Sequence, residues 1–123
     1  MKEVWICAHT IMFVLFASTT FAQSLPDDIA GKWTNASGNR TIEIYEENGL
    51  YYGKTIKDAR HPGGNIVLQD LKFEPENKWI GKLYIPKKQQ KYRCTISLLD
   101  LDNMRIEASN GFVSKWKTWK RIK

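Results

Sequence analysis

The chain has 123 residues, a formal net charge of +6 at neutral pH and two cysteines. This length allows one small domain and leaves no room for a second hydrophobic core. Repeats, low-complexity tracts and helical periodicities are absent, which excludes repeat arrays and helical bundles.

The first 22 residues predict a secretory signal peptide. Lys2 gives a weakly basic start, residues 11–16 are uninterruptedly apolar, and Thr20 and Ala22 stand where a signal peptidase reads small residues. The apolar segment is too short to span a membrane. We therefore expect export to the periplasm or the medium, cleavage after Ala22, and a single mature domain of residues 23–123 with no integral membrane span.

Eight segments of the mature chain predict β-strands, because apolar β-branched and aromatic residues alternate with polar ones. Asn48-Gly49 and Asn110-Gly111 are dipeptides typical of tight hairpins, and Gly53 predicts a bulge or bend. The predicted strands cover residues 29–34, 41–46, 50–56, 66–73, 79–86, 91–98, 104–108 and 112–122. Short connections make each strand pair with its neighbour. The predicted fold is therefore all-β, an antiparallel up-and-down eight-stranded barrel.

The clearest hairpin joins residues 79–86 to residues 91–98. Pro86 ends its first arm, because proline donates no ladder hydrogen bond. Cys94 lies on the apolar face of the second arm and is the only cysteine left after cleavage, so no intrachain disulfide is possible. We expect Cys94 to be a buried core residue rather than a reactive thiol.

Alternation also predicts which side chains face the barrel interior. An eight-stranded barrel is either just filled by its side chains or holds one small ligand. If a cavity exists, the aliphatic wall takes an apolar tail, while tyrosine hydroxyls and a lysine near the mouth, Lys54 or Lys82, orient an anionic head group. The predicted interior is Ile42, Ile44, Tyr52, Leu83, Tyr92, Ile96, Ile106 and Trp119. The candidate ligand-binding residues are Ile42, Ile44, Tyr52, Lys54, Lys82, Leu83, Tyr84, Tyr92 and Ile96.

Few residues suggest catalysis or metal binding. His61 is the only histidine after cleavage, and it lies in a loop, apart from Cys94 in the sheet. Zinc needs three or four converging ligands, and local turn hydrogen bonds account for Asp100 and Asp102. Phosphate loops, nucleotide fingerprints and paired acids are absent. We expect no enzymatic activity, no metal and no cofactor.

The last strand interleaves basic residues with tryptophans, a composition that can bind single-stranded nucleic acid. Export argues against nucleic acid as a partner. The simpler interpretation is that the lysines form a solvated face and the tryptophans face the core. An anionic ligand or envelope surface stays open as an alternative. Trp116 and Trp119 have opposite parity, so either a bulge separates them or one tryptophan is exposed.

Gly31-Lys32-Trp33 resembles the Gly-x-Trp signature of lipocalins and their calycin relatives. In those proteins the tryptophan closes one end of the barrel and an arginine near the last strand lies over it. The resemblance implies that Trp33, Trp119 and Arg121 close the barrel here, with a cation–π contact between Arg121 and Trp33.

The wider pattern is similar to the DUF2147 family of small exported bacterial proteins. The similar segments are residues 28–33, 41–45, 52–54, 70–72, 79–86 with Tyr92, and 119–121. The resemblance implies a lipocalin-like barrel in the periplasm or secreted, and it supplies no catalytic residues. The chain departs from typical members in its short loop of residues 57–65 and in lacking a glycine-rich approach to Trp119.

Two functions follow as hypotheses. The favoured one is an exported lipocalin-like binding protein for a small amphipathic, possibly anionic molecule. The alternative is an envelope or host-facing interaction module with a filled barrel, which binds protein or polysaccharide through a basic, Trp-bearing surface. The sequence leaves the oligomeric state open.

Overall fold

The computed structural model describes residues 24–56 and 62–123. The predicted signal peptide and His61 lie outside these residues. The described elements are a 3₁₀ helix, Pro26–Ile29, and the strands β1 Gly31–Asn35, β2 Thr41–Glu47, β3 Leu50–Thr55, β4 Ile66–Glu74, β5 Lys78–Ile85, β6 Gln90–Asp100, β7 Asn103–Ser109 and β8 Ser114–Arg121.

Each strand pairs antiparallel with the next, and β8 pairs with β1, so the sheet closes into a barrel. This confirms the predicted eight-stranded antiparallel architecture. Asn48 and Gly49 both have positive φ, as a two-residue hairpin turn requires, and they set Glu47 opposite Leu50. The predicted bulge at Gly53 is confirmed by shifts in the β3–β4 register on both sides of that residue.

Because the chain runs up and down, successive connections lie at opposite ends of the barrel. We call one end the mouth; it carries the β1–β2, β3–β4, β5–β6 and β7–β8 connections. The other, plugged end carries the 3₁₀ helix, the other three connections and the last residues of the chain.

The 3₁₀ helix closes the plugged end by accepting hydrogen bonds from two buried indoles. Trp33 Nε1 donates to the Ile29 carbonyl at 2.9 Å, and Trp79 Nε1 donates to the Pro26 carbonyl at 3.0 Å. Ile29 therefore belongs to the helix, and β1 begins at Gly31 rather than at residue 29 as predicted.

The core is continuous from the plugged end to the middle of the barrel. Cys94 is fully buried, as predicted, and carries a free thiol. The buried apolar residues are Ile29, Trp33, Ile42, Ile44, Tyr51, Leu68, Leu71, Trp79, Cys94, Ile96, Leu98, Met104 and Ile106.

The β7–β8 turn is longer than the sequence predicts. Ser109 lies opposite Ser114, and the Asn110 Oδ1 accepts the backbone N–H groups of Phe112 and Val113, both at 2.9 Å. Phe112 is thus at the turn and not in the last strand.

The seam between the first and last strands is short. Only residues Trp33, Thr34 and Asn35 of β1 pair with β8, where their partners are residues 119–121. Toward the mouth, residues 114–118 of β8 pair with β7 alone among the described ladders. The β7–β8 hairpin therefore extends past the short β1–β2 hairpin and overhangs the mouth.

Candidate ligand site at the mouth of the barrel

The strand register decides which side chains face inward, because directly opposite residues of antiparallel strands share a face. Ile44 lies opposite Gly53, and Leu83 lies opposite Tyr92. Together with the burial of their neighbours, the register places five of the predicted ligand-binding residues on the inner face. These are Ile42, Ile44, Leu83, Tyr92 and Ile96.

The expectation that Tyr52 and Lys54 serve the interior is wrong. Tyr52 lies opposite Tyr45 on the outer face, where the two rings stack 5.9 Å apart, and Lys54 lies opposite Glu43. The Tyr52 hydroxyl donates to Asp70 at 3.1 Å; desolvation, followed by this bond, raises the pKa of Tyr52.

Tyr51 takes the inward position instead. Its side chain is buried, and its hydroxyl donates to the Asp27 carboxylate at the plugged end. Burial, and then the bond to the anionic Asp27, raise the pKa of Tyr51. This tyrosine is a structural contact of the plug, away from the mouth.

Lys82 and Tyr84 also face outward, which corrects the expectation that they line the mouth. Lys82 lies opposite Arg93, and Tyr84 lies opposite Lys91. Lys82 and Arg93 border an open depression of about 460 Å³ on the outer surface of the β5–β6 hairpin. Two cations placed directly opposite each other repel, so this surface favours an anion over a neutral ligand.

A second open depression, of about 360 Å³, lies at the seam. It is bordered by Thr34, the β1–β2 turn, Thr118 and Lys120. Tyr92 and Trp119 of the inner face border these depressions too, but most of the strand residues that line them face outward.

One tryptophan of β8 faces inward and the other outward, without a bulge between them. Trp119 lies opposite Met104 and packs against the core. Trp116 lies opposite Glu107 and is 55% exposed, with the Arg105 guanidinium carbon 4.4 Å from its ring centroid.

The same register brings two lysines to the inner face. Lys117 lies opposite Ile106 and Lys115 opposite Ala108, on the face that also carries Trp119. Both lysines are exposed, because this part of β8 overhangs the mouth. The interpretation of all β8 lysines as an outer solvated face is wrong for these two. Their parity with Trp119, itself predicted to face inward, was the signal that could have found them.

The mouth therefore presents an amphipathic inner surface above the buried core. The core residue below it, Ile106, is 8% exposed, whereas Leu83, Tyr92 and Ala108 are half-buried. The Tyr92 hydroxyl donates to Gln90 at 2.7 Å. We define the mouth surface as Leu83, Ile85, Tyr92, Ala108, Lys115 and Lys117.

Arg121 joins the last strand to the plug. Its guanidinium carbon lies 4.4 Å from the Trp33 ring centroid. Its Nη1 and Nη2 donate to the carbonyls of Ala30 and Asp28 at 2.8 and 2.5 Å, and its Nε donates to that of Leu101 at 2.8 Å.

The surroundings of Cys94 and Asp100 give these two groups structural rather than reactive roles. Burial raises the pKa of the Cys94 thiol to about 12, so the thiolate nucleophile is scarce at neutral pH. The Asp100 carboxylate accepts the Asp102 N–H at 2.8 Å and the Asn103 amide at 3.0 Å, which lowers the Asp100 pKa.

The described residues contain neither a cluster of metal ligands nor a long apolar helix. Within residues 24–56 and 62–123, no three His, Cys, Asp or Glu side chains come together as metal ligands. No helix in the same part of the chain has the length and apolarity to cross a membrane.

Comparisons with known proteins agree with this architecture. The model of a family described as "Uncharacterized protein conserved in bacteria (DUF2147)" matches residues 31–121. Protein HP1028 from the human pathogen Helicobacter pylori, which is described as belonging to the lipocalin family, has a similar structure, with a TM-score of 0.65 and 19% sequence identity. The similarity covers 76% of this chain and 82% of that protein, and it shows a shared fold. No curated protein matches the chain in sequence.

Proposed function

We propose that this chain, which belongs to the DUF2147 family, is an exported binding protein. Its ligand would be a small amphipathic, anionic molecule held at the mouth. The observation that carries this proposal is Lys117, a cation on the inner face directly opposite the core residue Ile106. Lys115 repeats the arrangement one step nearer the rim, opposite Ala108.

The mouth surface offers complementary contacts to both parts of such a ligand. The side chains of Leu83, Ile85 and Ala108 give an apolar tail a surface on which to exclude water. The two ammonium groups pair with a carboxylate or phosphate, and the phenol of Tyr92 can exchange its Gln90 partner for the head group. Because Ile106 is buried directly below the lysines, the tail lies across the mouth and does not enter the barrel deeply.

The proposal assigns binding rather than catalysis. The described residues of the mouth surface are alkyl, phenol and ammonium groups, and they do not pair a nucleophile with a base. Export rests on the predicted signal peptide of residues 1–22.

Native mass spectrometry of the protein from its own envelope fraction and medium tests the proposal. We expect a polypeptide of residues 23–123 with an added mass that organic extraction removes. A chain that keeps residues 1–22 would contradict export. A bare polypeptide that takes up no fatty acid or other anionic amphiphile would contradict the ligand.

Matched lysine variants test the location. Lys115→Gln combined with Lys117→Gln should weaken binding of a captured anionic amphiphile about tenfold. Lys54→Gln combined with Lys82→Gln removes the same charge from the outer face and should leave the affinity unchanged. Equal losses in both double variants would place the ligand elsewhere.

The alternative, an interaction module with a filled barrel, is favoured by one observation. Trp116 is exposed beside Arg105 on the outer face of the sheet. Binding of a polysaccharide or protein partner that is lost in Trp116→Ala and kept in the Lys115/Lys117 variant would select this alternative.

A further inference from the structure

The two ends of the barrel differ in charge. The helix, connections and strand ends at the plugged end carry more carboxylates than basic side chains, and Lys123 there lies 3.2 Å from Asp102. The mouth segments described, residues 36–40, 62–65, 86–91 and 110–115, contain no acidic residue. The acidic residues at the plugged end are Asp27, Asp28, Glu46, Glu47, Glu74, Glu76, Asp100 and Asp102. The basic residues of the mouth segments are Arg40, Lys87, Lys88, Lys91 and Lys115.

The mouth also carries the most exposed large apolar residue of the described chain. Phe112 is 96% exposed and its neighbour Val113 is 56% exposed, at the turn of the overhanging β7–β8 hairpin. Ile66, at the mouth end of β4, is 42% exposed. The plugged end exposes Leu25, Leu99, Leu101 and Ile122. Leu99 and Leu101 flank Asp100, and the Leu25 N–H donates to Asp28, so most of the apolar surface there lies beside negative charge.

We propose that the mouth end docks on an anionic lipid bilayer. Phe112 and Val113 enter the boundary between head groups and acyl chains, while Arg40, Lys87 and Lys88 contact the anionic head groups. The acidic plugged end is repelled by the same surface, which orients the barrel with its mouth toward the lipid.

The arrangement favours a bilayer over other anionic partners. The basic and apolar residues lie on separate connections around one rim, a layout that matches a broad surface rather than a groove or a single chain. A soluble polyanion would pair with the lysines and would gain little from the apolar turn. This docking goes beyond the proposed ligand site, since it uses the rim and not the inner face.

Vesicle sedimentation tests the proposal with protein purified from cells that express the complete gene. The protein should sediment with vesicles of phosphatidylcholine mixed with phosphatidylglycerol, and not with phosphatidylcholine alone. Added salt should release it, because salt screens the lysine contacts. Lys87→Gln with Lys88→Gln should weaken vesicle affinity about 25-fold, and Phe112→Ser about tenfold.

Matched controls come from the plugged end. Leu101→Ser and Lys123→Gln remove an exposed apolar side chain and a charge there, and they should leave vesicle binding unchanged. Circular dichroism of each variant checks that the barrel is folded. Equal losses in the mouth and plugged-end variants, or equal binding to both kinds of vesicle, would overturn the proposal.

Two further results separate docking from other activities. Binding to heparin without binding to vesicles would overturn docking and assign the rim to a soluble polyanion. Phe112→Ser should keep its uptake of a dissolved anionic amphiphile, so the failure of docking and the failure of the ligand proposal are distinguishable.

Discussion

Arg121 covers the indole of Trp33 at 4.4 Å and donates to three backbone carbonyls around it. Replacing it with methionine leaves those carbonyls without their donors and removes the cation–π contact. We expect Arg121→Met to lower the free energy of unfolding by about 3 kcal/mol.

Denaturant unfolding measures this loss of stability, and two further variants serve as controls. Arg121→Lys should recover less than half of the loss, because one ammonium cannot satisfy donors spread over a planar fork. Lys120→Met, on the neighbouring outward position, should change stability by less than about 0.5 kcal/mol. Equal stabilities of Arg121→Met and Lys120→Met would contradict the role assigned to the arginine.

Gly31 is the glycine of the Gly-x-Trp signature, and its neighbourhood explains the residue type. Its φ is +128°, and an added Cβ would lie 2.9 Å from Arg121 Nη1. We expect Gly31→Ala to cost about 2 kcal/mol, through backbone strain and displacement of the guanidinium.

A double-mutant cycle separates the two causes. In an Arg121→Met background the guanidinium is gone, so Gly31→Ala should cost less, by roughly 1 kcal/mol of coupling. Strict additivity of the stability losses of Gly31→Ala and Arg121→Met would show that only the backbone conformation requires a glycine at position 31.

Tyr51 predicts an alkaline loss of stability. Its pKa is raised above the ordinary value of 10.0 in the folded chain by burial and by the bond to Asp27. The folded state therefore holds the phenolic proton more tightly than the unfolded state. The resulting stabilisation is complete below pH 10 and is lost as the pH rises above it.

Tyr51→Phe tests this sign. At neutral pH the variant should be about 1 kcal/mol less stable, because Asp27 loses its donor. Above pH 10 the difference between variant and wild type should narrow, as measured by denaturant unfolding at several pH values. A difference that is constant with pH would contradict the prediction, and Tyr84→Phe serves as the outer-face control.

The facing cations Lys82 and Arg93 predict a stabilising substitution. Lys82→Glu would set opposite charges directly across the β5–β6 pair and should raise stability by about 0.5 kcal/mol. Lys54→Glu is the mirror control, since it would face Glu43 with a like charge and should lower stability by a similar amount. Thermal unfolding of both variants measures the signs, and a stability loss in Lys82→Glu would contradict the repulsion.

The strands could be predicted because alternation and short turns constrain them strongly. The outward position of Tyr52 follows from the sequence as well: a two-residue turn at Asn48-Gly49 sets Glu47 opposite Leu50, and counting outward from that pair puts Tyr52 opposite Tyr45. Likewise, an inward Trp119 implies an inward Lys117, two residues away.

Other features depend on contacts that local sequence does not encode. The 3₁₀ helix has four residues and no periodicity, and its position depends on indole donors from β1 and β5. The sequence predicts a two-residue β7–β8 turn at Asn110-Gly111. In the structure the turn is longer, because the Asn110 side chain accepts two further backbone N–H groups. How far side chains fill the barrel depends on how the side-chain volumes of opposite strands pack together. The alternation of apolar and polar residues does not predict that packing.

The short seam between β1 and β8 has a consequence for biosynthesis. Its partners, residues 33–35 and 119–121, lie about 85 positions apart in the sequence. A chain that emerges from its N-terminus can form each consecutive hairpin in turn, but it cannot close the barrel until the final strand has emerged. Arg121 makes its contacts to Ala30 and Asp28 only at that point. Premature termination before residue 119 therefore yields an open sheet in which the shortened last strand pairs with β7 alone. Such a sheet has two free edges and is prone to aggregation.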